Sequence, residues 1–62
     1  MNYTRKEVKI LSLEGLEDKT KDVLKRRCFF VGEWIENETL FYEIQNDLGD
    51  LVRIFPERVQ IK

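Results

Sequence analysis

Arg27-Cys28-Phe29-Phe30-Val31-Gly32-Glu33-Trp34-Ile35, then Glu36-Asn37-Glu38-Thr39, then Leu40-Phe41-Tyr42-Glu43-Ile44-Gln45, is the stretch that sets the fold class. Aromatic and β-branched residues crowd both arms, which suits a pleated, half-buried surface, and the polar tetrad between them reads as a turn. Leu40, Tyr42 and Ile44 fall on one face of the second arm. Gly32 has no side chain to pack, so inside such a run it predicts a bulge or a tight bend.

Toward the C-terminus, Asn46-Asp47-Leu48-Gly49-Asp50 is the clearest turn, since Asn and Asp start turns and Gly49 accepts a left-handed backbone. Leu51 to Phe55 follows as a strand, with Leu51, Arg53 and Phe55 on one face and Val52 and Ile54 on the other. Pro56 lacks a backbone donor and ends the pairing, and Val59 and Ile61 alternate in a short last strand. Toward the N-terminus, Leu16, Thr20, Val23, Leu24 and Arg27 recur at helical spacing. Glu17 and Asp18 near the start and Lys25, Arg26 and Arg27 near the end suit the helix dipole, so a helix or irregular loop is expected over residues 17–26. Glu7 to Leu13 reads as the first strand, closed by Glu14-Gly15.

A chain of 62 residues is a single domain, residues 1–62, and buries only about 60% of the surface its unfolded form exposes. Five short strands left as an open sheet would wet an apolar face, whereas closure into a small barrel buries it and removes most edges. The expected fold is therefore mainly β: a five-stranded small barrel with a short helix or long loop after strand 1. There is no histidine, which excludes histidine-based triads and the common zinc sites. A single cysteine cannot staple the fold and predicts a reducing, cytoplasmic setting. No apolar run approaches a membrane span, and Met1-Asn2-Tyr3-Thr4-Arg5-Lys6 opens no leader-like apolar region, so no membrane association is expected.

Gly49-Asp50-Leu51-Val52-Arg53-Ile54-Phe55-Pro56-Glu57-Arg58-Val59 resembles the end of an SH3-like barrel, where a glycine-turned hairpin leads to Phe-Pro, a one-turn helix and a short last strand. Cys28–Ile35 and Leu40–Gln45 fit the central meander of that family, so the resemblance covers about residues 28–61. It implies the barrel. The first strand lacks the aromatic-rich segment of peptide-binding SH3 domains, and Arg58 stands where those domains carry tyrosine, so proline-rich peptide recognition is not implied. Fold alone does not fix function.

The net charge of −1 hides a split. Residues 1–32 carry eight basic and five acidic side chains, whereas residues 33–62 carry three basic and seven acidic. Trp34, the only tryptophan, reads either as a recognition platform or as a core or rim anchor, and it shares a face with Cys28 and Phe30 unless Gly32 shifts the register. Phe29 and Phe30 are neighbours, as are Phe41 and Tyr42, so two adjacent strands present large aromatics on both faces. Burying one such side chain is worth roughly 1.5–3 kcal/mol. The face outside the barrel therefore needs a cover: the 17–26 helix, another protein, or a second copy of this chain in a homodimer.

Three surfaces follow. Phe30, Trp34 and Phe41, rimmed by Glu33, Glu36, Glu38 and Glu43, form the expected protein-binding surface. The same acids with Asp47 and Asp50, aligned on one rim, would imitate a phosphate backbone and block a DNA-binding protein. Lys25, Arg26 and Arg27 beside the aromatics are the nucleic-acid-binding candidates, and the slightly acidic whole makes nucleic acid the weaker expectation. Cys28 lacks an activating histidine, Asp47 and Asp50 match no calcium loop, and so small a barrel has little room for a carboxylate cleft. The expected function is a non-enzymatic protein-interaction module with no cofactor or metal. Its size suits an accessory or inhibitor protein such as those made by phages and mobile elements.

Overall fold

In the computed structural model, residues 6–62 are described. Residues 1–5, part of the Met1–Lys6 opening expected to carry no leader, lie outside them. The elements run β1 (Lys6–Ile10), α1 (Asp18–Leu24), β2 (Cys28–Glu36), β3 (Thr39–Asn46), β4 (Leu51–Ile54), a 3-10 turn (Pro56–Arg58) and β5 (Val59–Ile61). The five antiparallel strands form one sheet in the order β4-β3-β2-β1-β5.

That order requires curvature. β4 and β5 are consecutive in the chain yet sit at opposite ends of the sheet. A flat sheet would hold them about 19 Å apart at ~4.8 Å per strand. The path from Ile54 to Val59 through a 3-10 turn spans only about 13 Å. The sheet must therefore curl into a small barrel-like fold. Pro56 serves this closure twice: its fixed φ starts the turn, and it lacks the N–H that would continue β4.

Inside the curl lie Val8, Leu24, Cys28, Ile44, Ile54 and Val59, with Ile10, Leu13, Leu16, Phe30, Tyr42, Val52 and Ile61 packed around them. The strands supply this core at period two: Phe30, Ile44 and Val52 lie side by side across β2, β3 and β4. Helix α1 closes one end through Leu24. It is shorter than the 17–26 expected, ending at Leu24 with Lys25 as a helical C-cap whose N–H bonds Lys21 O. Arg27 lies one residue before β2 and pairs with Glu7 of β1 at 3.2 Å. Lys25, Arg26 and Arg27 thus occupy a connection rather than a last helical turn. β1 stops three residues before the expected Leu13, because the Leu11 N–H is taken at 2.7 Å by Arg58 O of the 3-10 turn.

The turn after β3 ties the meander to the helix. The Asn46–Asp50 loop uses Gly49 at φ 93 and is tied by the fully buried Asn46 amide. Its Oδ1 accepts the Leu48 and Asp50 N–H groups at 3.0 and 2.9 Å. Its Nδ2 donates to Val23 O of α1 at 3.3 Å and to Asp50 Oδ2 at 3.4 Å. One side chain thus fastens a loop to a helix. Among the described residues, no helix is long and apolar enough to cross a membrane.

Candidate functional site

The bulge at Val31-Gly32 settles which aromatics meet. Before it, Phe30 pairs with Ile44; after it, Glu33 pairs with Tyr42 and Trp34 with Phe41, so the two segments of β2 differ by one residue in register. Facing residues in a ladder share a side of the sheet. Phe30 therefore points inward, edge-on to Tyr42 at 4.9 Å, while Trp34 and Phe41 point outward. The shared face expected for Phe30, Trp34 and Phe41 is split by the extra residue. Phe55 takes the third place, stacking on Phe41 at 5.2 Å with 17° between the rings. Its parity with Leu51 and Arg53 was the available signal, and its place in the Phe-Pro step masked it.

The outer face is organised around Trp34. Arg53 on β4 lies opposite Glu43 on β3, and its Nε donates to Glu43 Oε2 at 3.0 Å. The same guanidinium sits 3.9 Å over the Trp34 ring, a cation–π contact. The indole N–H donates to Glu36 Oε1 at 3.2 Å. Gly32 makes room for this chain of contacts, since a Cβ there would meet Glu43 Oε1 at 3.2 Å. Trp34 and Phe55 nevertheless remain 40% and 41% exposed. The helix expected as a possible cover packs at the Asn46 end and into the core, not over this face.

The acidic residues do not form one rim. Glu36 and Glu38 are exposed at the β2–β3 turn, Glu33 is exposed on the side of Tyr42 and away from Trp34, and Glu43 is held by Arg53. Asp47 and Asp50 lie past the opposite end of β3, whose eight residues span about 27 Å. At the near end, Asn37 and Glu38 take φ 52 and 62, so a two-residue loop is closed by two left-handed residues. Such a loop matches strand twist, and glycine is preferred over a side chain at its second position. Glu38→Gly is accordingly expected to stabilise the fold by about 1 kcal/mol, read as a higher urea midpoint with unchanged slope.

The basic cluster is neutralised pairwise. Arg26 Nε reaches Asp47 Oδ1 at 2.6 Å, Arg27 Nε reaches Glu7 Oε2 at 3.2 Å, and Lys25 Nζ lies 3.9 Å from Asp22. Arg27 also covers Phe29, on the opposite face from Phe30, at 5.4 Å. The Arg26 hydrogen bond holds Asp47 below the usual carboxylate range, and Arg27 does the same for Glu7. Depressed carboxylates add stability above their unfolded pKa and lose it as pH falls through the folded value. Stability should therefore drop between about pH 5 and 2, and Asp47→Asn with Glu7→Gln should flatten that drop in urea melts taken across the range.

No family model, curated protein or solved structure matches this chain. The site is thus read on its own chemistry. Cys28 is 2% exposed, its Sγ lies 3.1 Å from Arg26 O, and burial pushes its thiol pKa up, the opposite of an activated nucleophile. Among the described residues, no three metal-ligating side chains converge. What the outer face offers is a fixed indole, two stacked phenyl rings and carboxylates at their border.

Proposed function

We propose that this protein is a non-enzymatic protein-interaction module acting through the outer face of β2–β3–β4, with Trp34, Phe41 and Phe55 as the apolar contacts and Glu36, Glu38 and Glu43 at the border; Glu33, expected there from the sequence, falls on the side of Tyr42 instead. The observation that carries the reading is the exposure of Trp34 and Phe55, 40% and 41%, on a face that no helix covers among the described residues. Tryptophan is the residue type most enriched among binding hot spots, because a large rigid surface loses little entropy on binding. Here the ring is already oriented by Arg53 and Glu36, so little ordering cost remains.

An accessory or inhibitory role on a partner protein fits a domain this small, and the SH3-like resemblance remains compatible with the curled sheet. Single-strand binding through Lys25, Arg26 and Arg27 has weaker support, since each cation already faces an acid. The test is affinity capture from nuclease-treated native lysate, with wild type beside Trp34→Ser/Phe41→Ser. A stoichiometric protein held by the wild type and lost by a folded variant is the expected result. Capture that is equal in both, or that yields nucleic acid alone without nuclease, overturns the reading.

A further inference from the structure

We propose that the distal half of the β2–β3 hairpin is a docking finger for a cationic apolar segment of another protein, one that sets lysine or arginine side chains around an aliphatic centre. This rests on the interaction reading above and names the chemistry of the partner.

On the β3 side the finger begins where β4 stops, at Tyr42. Beyond it run three rungs of the β2–β3 pair, Trp34 with Phe41, Ile35 with Leu40 and Glu36 with Thr39, none of which meets β4. Alternation places Trp34 and Phe41 on the outer side and Ile35 and Leu40 on the other. Ile35 is 71% exposed and Leu40 37%, so the finger is apolar on both sides and neither apolar side is closed by the core. A partner that covers Trp34, Ile35 and Leu40 would take their exposed apolar area out of water.

Charge then selects the occupant. Among the described residues, Glu33, Glu36 and Glu38 form no salt bridge, and one base, Arg53, stands against Glu43. The chain's own guanidinium already rests on the Trp34 face beside these acids, which shows that the site holds a cation. Glu38 keeps a carboxylate at the tip on a left-handed backbone that favours glycine. Observed backbone strain of this kind points toward a use for the residue that bears it. A second copy fits badly, because a two-fold contact through the finger sets the same patch against itself and brings carboxylates to carboxylates.

Trp34 is the only tryptophan and reports directly. The probes are a Lys/Leu amphipathic peptide of about 14 residues without aromatics and its Glu/Leu counterpart, each titrated against Trp34 emission at about 50 and 500 mM salt. The cationic peptide should bind at least about tenfold tighter at low salt, lose most of that advantage at high salt, and lose it at both in Glu36→Lys/Glu38→Lys. Equal binding of both peptides, binding of neither, or a preference unchanged in the charge variant overturns the proposal. A dimer in sedimentation that Trp34→Ser/Ile35→Ser dissolves makes the occupant a second copy and also overturns it. Loss of captured protein in Trp34→Ser/Phe41→Ser without a cationic preference leaves the interaction module standing with a different partner. Capture indifferent to that variant removes the module itself.

Discussion

Asn46→Ala should lower stability by about 3 kcal/mol, seen as a large fall in urea midpoint with little change in slope. The amide is 1% exposed and has every polar atom in use. Its removal strips an acceptor from the Leu48 and Asp50 N–H groups and a donor from Val23 O, leaving a loop and a helix carbonyl to find other partners. Unmade bonds at buried groups cost more than made ones gain, and that asymmetry drives the size of the effect. A chain of this length carries only about 3–9 kcal/mol in total, so near the lower bound about half of the variant should be unfolded. Asn46→Asp separates donor from acceptor: it keeps the two contacts from N–H groups, loses the bond to Val23 O, and sets a second carboxylate beside Asp50. It should fall between wild type and Asn46→Ala if the loop contacts dominate, and below Asn46→Ala if the like charges do.

Ile44→Ala should cost about 2–5 kcal/mol, whereas Ile35→Ala should stay within about 0.5 kcal/mol. The two isoleucines are chemically identical and sit on adjacent paired strands. Ile44 is 0% exposed at the centre of the core, and Ile35 is 71% exposed on the finger. Deleting the first leaves a cavity among Phe30, Val52 and their neighbours, while deleting the second removes surface that water already touches. Paired denaturant melts measure both. A cost at Ile35 approaching that at Ile44 would mean the finger is packed in the free protein, contrary to the exposure on which the docking surface rests. The interaction reading gives Ile35 and Glu38 a shared pattern: replacements that leave the fold intact, or improve it as Glu38→Gly should, are the ones expected to alter binding.

Much of this architecture was legible in the chain. Period-two alternation, the turn chemistry of Asn46–Asp50 and the missing N–H of Pro56 act within a few residues, so they place the meander and the closing 3-10 turn without tertiary knowledge. Ile44 as a core residue follows from the same alternation. The end of β1 was less legible, because Leu11 bonds Arg58 across a long stretch of chain.

The site was legible in its residue types and not in its arrangement. Residue volume and strand parity already put more large aromatics on β2 and β3 than one small interior can hold. Which of them share the outer face was set by packing. One extra residue at Val31-Gly32 inverts every side chain beyond it, sending Trp34 outward and leaving Phe30 in the core, and the period of two makes that inversion complete. The pairing of Lys25, Arg26 and Arg27 with Asp22, Asp47 and Glu7 was likewise a tertiary result. For Arg26 and Arg27, opposite charges distant in sequence attract at whatever separation the fold imposes, and no local pattern encodes that distance.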